Sequence, residues 1–124
     1  VMCGSDEDSL ILPKSIKSQS QYMCGSDEYN IAKALASETG WEPDDEECAV
    51  GNNPSANNAT GFSARPAGFY NGIYNNFGNT AYFWSATQSS SYNAYYRTLF
   101  YTNAIVNRNN YNKNRGYSVR CVRN

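Results

Sequence analysis

The clearest structural signal in the chain is an alternation of side-chain types in its C-terminal half. In the segment 94–101, alternate positions form one set of Tyr95, Arg97, Leu99 and Tyr101 and a second set of Tyr96, Thr98 and Phe100. Because successive side chains of a strand point to opposite faces, this pattern predicts a strand. The pair Thr102-Asn103 has the length of a tight hairpin loop, and a second strand is predicted at 104–108.

Shorter apolar and aromatic runs between Gly, Asn and Ser turns predict four further strands. They lie at 61–64, 68–70, 81–85 and 117–122. Long polar loops are predicted at 49–60 and 109–114, where Asn is frequent and breaks up strands. The C-terminal half is therefore predicted to be rich in β-structure.

One helix is predicted, beginning at Ser26 as its N-cap and ending at Gly40. Two acids follow the N-cap, where the helix dipole favours them. Ile31, Ala34 and Leu35 recur at helical spacing and are expected to face the core. With the strands, this predicts an α+β fold in a single domain, 1–124, whose first 23 residues are irregular.

The four cysteines, Cys3, Cys24, Cys48 and Cys121, include no closely spaced pair and have no His nearby. This spacing makes a zinc site or a thioredoxin-type redox site unexpected. Two disulfides are the simpler interpretation, buried free thiols are the alternative, and all three pairings stay open. Disulfides would indicate an oxidising compartment and hence an exported protein.

Charge is divided unevenly along the chain, although the net charge is only -1. All acidic residues lie at or before Glu47, whereas the segment from Ala49 onward has basic residues and no acid. One interpretation is attraction between the two halves within the fold, and the other is a basic surface for an anionic ligand.

The chain contains no His and has eleven Tyr among its 124 residues. Without His it lacks the commonest general base and zinc ligand, so we expect no enzyme, no catalytic residue, no metal and no cofactor. No apolar run is long enough for a membrane span. Nucleic-acid binding is not expected either, because the acidic half offsets the basic one.

Four ordered blocks of the sequence match a known family. They are Gly-Phe-Ser-Ala-Arg-Pro-Ala-Gly at 61–68, Tyr-Phe-Trp-Ser-Ala-Thr at 82–87, Ala-Tyr-Tyr-Arg at 94–97 and Gly-Tyr-Ser-Val-Arg-Cys-Val at 116–122. The chain resembles the Fibrobacter succinogenes major paralogous domain family over residues 24–124. The upstream blocks Ile-Ala-Lys-Ala-Leu-Ala and Cys-Ala-Val-Gly-Asn look like those of Bacteroidetes members.

The resemblance implies a C-type-lectin-like fold with small twisted antiparallel sheets, one or two helices and long loops. It also implies export and ligand binding through a variable C-terminal face, as in the surface proteins that retroelements diversify. Two features depart from this pattern. The N-terminal part is short, so a trimmed fold and a fragment of a longer chain both stay open, and the calcium-binding motifs of lectins do not occur.

Residue types that mutation of Asn codons produces fill many positions near the C-terminus. The predicted ligand-binding residues are Asn93, Tyr96, Thr98, Phe100, Thr102, Asn103, Ile105, Asn107, Asn109, Asn110, Tyr111, Asn112 and Asn114. The residues interleaved with them match the family's framework positions, and they are Arg97, Leu99, Tyr101, Val106, Arg108 and Lys113. Drift among solvent-facing Asn residues is the alternative explanation, and whether diversification is active stays open.

The predicted function is therefore a secreted or cell-surface, non-catalytic adhesion or recognition module with a protein or glycan ligand. The alternative is a structural domain of a surface fibre that associates with copies of itself. The sequence does not identify the ligand or the oligomeric state.

Overall fold

A computed structural model describes Cys24 and residues 30–121 of the protein. Its strands are β1 (Phe69–Tyr70), β2 (Tyr74–Asn75), β3 (Thr80–Gln88), β4 (Asn93–Phe100) and β5 (Val106–Asn112). The pair β1-β2 forms one antiparallel sheet, and β3-β4-β5 forms a second. A short helix, α1 (Ala32–Leu35), and a 3-10 turn at Pro54–Ala56 precede them. The described residues thus form a small α+β arrangement dominated by antiparallel strands, as predicted.

The central strand β4 alternates as the sequence predicts. Cross-strand neighbours on one face are Phe83, Arg97 and Arg108 in one row and Ala81, Leu99 and Val106 in the next. Of the predicted framework residues, Arg97, Leu99 and Val106 are buried and Tyr101 is half-buried, whereas Arg108 and Lys113 are exposed. This face packs against α1 and the loops in a single hydrophobic core. One face of the sheet is therefore committed to holding the fold together.

The helix is shorter than predicted. Its predicted core residues Ile31, Ala34 and Leu35 are buried. However, α1 ends at Leu35 and not at Gly40, because Ala36 has an extended conformation and forms a parallel bridge with Ala64. Backbone pairing with another segment replaces the next helical turn. The predicted N-cap Ser26 and the segment 1–23 lie outside the described residues.

The connection between β4 and β5 spans residues 101–105, so the predicted two-residue hairpin loop is wrong. Two backbone hydrogen bonds fix it to the preceding loop: Val50 N donates to the Asn103 oxygen (3.1 Å) and Gly51 N to the Tyr101 oxygen (2.8 Å). The connection is longer because it pairs with residues 50–51 as well as reversing the chain.

Three other predictions need correction. The strand predicted at 61–64 is only an isolated bridge, and the part of 117–122 that the structure describes contains one bridge, at Ser118. The strand β2 was not predicted. In the segment 109–114, which was predicted as a loop, β5 continues to Asn112 because it pairs with β4 as far as Asn93.

The described cysteines are all in disulfides. Cys24 is bonded to Cys48, with 5.3 Å between their Cα atoms, and Cys121 is also disulfide-bonded. The first bond ties Cys24 to the residue that follows the acidic segment 42–47, and such a cross-link stabilises a fold with a core of modest size. In the described part of the chain, no helix is long and apolar enough to cross a membrane.

Candidate ligand-binding face

The second face of the three-stranded sheet carries most of its aromatic side chains. Cross-strand neighbours on it are Trp84, Tyr96 and Asn109 in one row and Tyr82, Thr98 and Asn107 in the next. Tyr111 follows on β5, opposite Ala94 of β4. Because the other face is buried in the core, strand alternation places these rings on the side away from it.

Tyr117 completes this face from outside the strands. Its ring centroid lies 4.3 Å from that of Trp84, 4.8 Å from that of Tyr82 and 4.9 Å from that of Tyr96. The neighbouring Ser118 holds it there, since its N–H donates to the Tyr82 oxygen (2.9 Å) and its carbonyl accepts from Trp84 N (3.0 Å). We call Tyr82, Trp84, Tyr96 and Tyr117 the aromatic cluster.

Arg115 and Tyr111 form a pair beside the aromatic cluster. Arg115 Nη2 donates to the Tyr111 hydroxyl at 3.2 Å, and the guanidinium carbon lies 4.9 Å from the centre of the Tyr111 ring. The indole Nε1 of Trp84 donates to the Arg115 carbonyl oxygen at 3.2 Å, which fixes the backbone of the pair. Tyr111 is 44% exposed, so a ligand can reach it.

The tyrosine hydroxyls are close enough to affect one another's ionisation. Burial raises the pKa of Tyr117, and the charges that Tyr96 and Tyr82 would carry raise it further. The nearby Arg115 opposes part of that rise. Burial, and then Tyr96, raises the pKa of Tyr82. These hydroxyls therefore stay protonated at neutral pH and act as hydrogen-bond donors as well as acceptors.

Tyr96 lies between the aromatic cluster and the exposed pair. Burial raises its pKa, the charge that Tyr111 would carry raises it further, and a hydrogen bond with Tyr117 lowers it in part. The hydroxyl of Tyr96 therefore lies near those of Tyr111 and Tyr117. Stacked rings, several hydroxyls and a guanidinium together suit non-covalent binding.

The structure distributes the predicted ligand-binding residues over three places. The aromatic face carries Tyr96, Thr98, Phe100, Asn107, Asn109 and Tyr111. By strand alternation, the opposite face carries Asn93, Asn110 and Asn112. The remaining residues, Thr102, Asn103, Ile105 and Asn114, lie in the connection 101–105 or after β5. Only 3% of Thr98 is exposed, so its side chain lies beneath the surface.

Sequence reasoning missed Tyr82, Trp84, Arg115 and Tyr117 as parts of this face. Phe83 is buried in the core, whereas its neighbour Trp84 is half-buried on the opposite face. The available signal was alternation within the predicted strand 81–85. It places Tyr82 and Trp84 on the face opposite Ala81 and Phe83, which are buried. No local pattern places Tyr117 beside them, because the pairing that positions it is long-range.

In the described part of the chain, no group of three or more His, Cys, Asp or Glu side chains is placed to hold a metal ion.

The sequence matches a known family over more residues than the structure describes. A sequence model of the Fibrobacter succinogenes major domain matches residues 5–123. The chain belongs to this family. The resemblance seen in the four sequence blocks is thereby confirmed.

The matched range of this Fibrobacter succinogenes major domain includes α1, all five strands and the aromatic cluster. No curated protein and no solved structure matches the chain.

Proposed function

We propose that this Fibrobacter succinogenes major domain is a non-catalytic recognition module, which binds a protein or glycan ligand through the aromatic cluster and the Arg115–Tyr111 pair. The observation that carries the proposal is the convergence of four tyrosines on the sheet face that does not form the core. A domain needs only one packed face of a sheet to fold. Tyrosines gathered on the other face therefore call for a role beyond stability.

The residue types on this face suit recognition. Tyrosine presents a large, rigid ring and a hydroxyl at low cost in conformational entropy, and asparagine supplies adaptable hydrogen bonds. Asn107 and Asn109 lie on the same face as Tyr111. Because these side chains project from paired strands, the surface is pre-organised, which lowers the entropy lost on binding.

The proposal extends to the surroundings of the domain. We propose a C-type-lectin-like fold, a cell-surface or secreted location, and a face whose residues vary by diversification or its relic. Disulfide-bonded cysteines support export, since such bonds persist in oxidising compartments. Small antiparallel sheets with one short helix and long loops support the proposed fold. Self-association in a surface fibre stays a prediction.

The experiment that tests this function is a binding screen with the full chain against arrays of glycans and extracellular proteins. For a ligand found there, Tyr111→Ala is expected to weaken binding about tenfold, as removal of an aromatic interface anchor does. Tyr74→Ala is the matched control, because Tyr74 is 84% exposed in β2 and its ring contact in the described structure is with Tyr70, outside the aromatic cluster. Absence of any ligand, or equal effects of the two substitutions, would reject the proposal.

A further inference from the structure

The positive charge of Arg115, beside Tyr111, indicates which class of ligand the aromatic face can bind. Arg115 is only partly buried, and in the described part of the chain its guanidinium makes one hydrogen bond, to the Tyr111 hydroxyl. A guanidinium has five N–H donors, so most of them remain available to a ligand. From Ala49 to the C-terminus the sequence has no acidic residue to compete for them.

Resting on the proposed function, we infer that the Arg115–Tyr111 pair is a subsite for the carboxylate of an acidic glycan. Arginine and a carboxylate form two parallel hydrogen bonds, which makes this pairing stronger and more directional than a neutral contact. The hydroxyl of Tyr111 is held beside the guanidinium at 3.2 Å, so it can donate to the same carboxylate group.

The aromatic cluster favours a sugar as the carrier of that carboxylate. Next to Arg115, the Tyr117 ring lies 4.3–4.9 Å from the rings of Trp84, Tyr82 and Tyr96, which together form an apolar surface. Polar groups border it, namely the tyrosine hydroxyls and the amides of Asn107 and Asn109. A pyranose has apolar C–H faces and a rim of hydroxyls, which match these two kinds of surface.

The position of Arg115 is built into the fold. The hydrogen bond from Trp84 Nε1 to its carbonyl oxygen joins it to β3, and stacking on Tyr111 joins it to β5. Burial and neighbouring hydroxyls raise the pKa of Tyr117, so that side chain remains a neutral donor beside the bound anion. A carboxylate there would therefore lie beside the Arg115 guanidinium and a neutral Tyr117 side chain.

The test compares oligosaccharides that contain uronic or sialic acids with the methyl esters of the same compounds, using calorimetry on the full chain. Esterification removes the charge and keeps the sugar. Binding of the acids is expected to exceed that of the esters by at least tenfold, and to weaken as salt is raised. Arg115→Gln is expected to remove this preference.

Arg65→Gln is the matched control, because it changes the net charge by the same amount and Arg65 is exposed. The ring and cation–π contacts of the described residues do not join Arg65 to the aromatic cluster. It should leave the preference unchanged. Thermal melting of each variant confirms that it folds.

The outcomes separate this inference from the proposed function. Binding of neutral glycans or of proteins that depends on Tyr111 and not on Arg115 overturns the carboxylate subsite and leaves a recognition face. The same follows if no acidic oligosaccharide binds, or if Arg115→Gln and Arg65→Gln act alike. If no ligand binds in a way that depends on Tyr111, both the carboxylate subsite and the proposed recognition function are rejected.

Discussion

At the scale of single residues, one half-buried lysine organises the loop 49–57. Lys33 Nζ donates to Asn57 Oδ1 at 2.9 Å and to the carbonyl oxygens of Ala49 (3.3 Å), Asn52 and Asn53 (3.4 Å). Burial lowers the pKa of Lys33 because it disfavours the charged form. The surrounding oxygens offset that cost, so the ammonium and the loop stabilise each other.

We predict that Lys33→Met lowers the free energy of unfolding by about 2 kcal/mol, because it leaves several partly buried oxygens without their charged donor. Chemical denaturation measures this change. Lys113→Met is the control, since Lys113 is exposed although its ammonium contacts Gln88 and Ser91. The control should change the stability by less than about 0.5 kcal/mol. Equal losses in the two variants would contradict the prediction.

At the scale of elements, a close backbone crossing joins the small sheet to the large one. Gly68 precedes β1, has a φ of +65° and pairs with Ala81 of β3. A Cβ at this position would overlap the carbonyl oxygen of Asn75, at the end of β2. Only glycine lets the chain pass here and keep both contacts.

Gly68→Ala is expected to cost about 3 kcal/mol of stability, from left-handed strain together with the collision against the Asn75 carbonyl. Gly72→Ala isolates the first effect, because Gly72 has a φ of +108° and nothing within 4 Å of its added Cβ. That control should cost about 1 kcal/mol. Urea denaturation of both variants measures the difference, and similar costs would show that the crossing tolerates a side chain.

The elements that the sequence predicts well are those whose signal is local. Alternation within β4 is confirmed by its register, since Arg97 and Leu99 pair with Phe83 and Ala81 on the core face, whereas Tyr96 pairs with Trp84 on the other face. By contrast, β5 continues through Asn residues of low strand propensity because β4 supplies a partner as far as Asn93. Similarly, α1 stops early because Ala36 pairs with Ala64. Both outcomes depend on partners that are distant in sequence.

At the scale of the whole molecule, the aromatic cluster links stability to alkaline pH. Burial, followed by neighbouring hydroxyls, raises the pKa of Tyr117 and of Tyr82 above the ordinary value of 10.0. Above about pH 10 the unfolded chain releases these protons while the folded chain still holds them. The folded state then binds more protons, so stability is complete below pH 10 and falls as the pH rises further.

We predict a decline in the free energy of unfolding above about pH 10, and a shallower decline in the Tyr82→Phe, Tyr117→Phe double variant. Urea denaturation at several pH values measures the slopes, and absorbance of tyrosinate shows whether some tyrosines titrate late. Tyr74→Phe, at an exposed tyrosine, should leave the slope unchanged. Identical slopes in all three proteins would contradict the assignment.

Part of the candidate site can be predicted from the sequence, but its central residue, Tyr117, cannot. Tyr96 and Asn107 share one face, as the alternation predicts. Asn109 and Tyr111, which were predicted in a loop, lie on the same face because β5 continues to Asn112. Tyr117 joins them through long-range contacts such as the bridge between Phe83 and Ser118, which closes a long stretch of chain. Pairing at such a distance leaves no periodic trace in the sequence.

That same bridge has a consequence for the order of events in folding. The hairpin of β3 and β4 involves neighbours in sequence and can form early, whereas docking of Tyr117 requires closure of a much longer loop. We therefore expect the proposed binding surface to be assembled among the last long-range contacts. A collapsed but incomplete chain would already have its core and would still lack that surface.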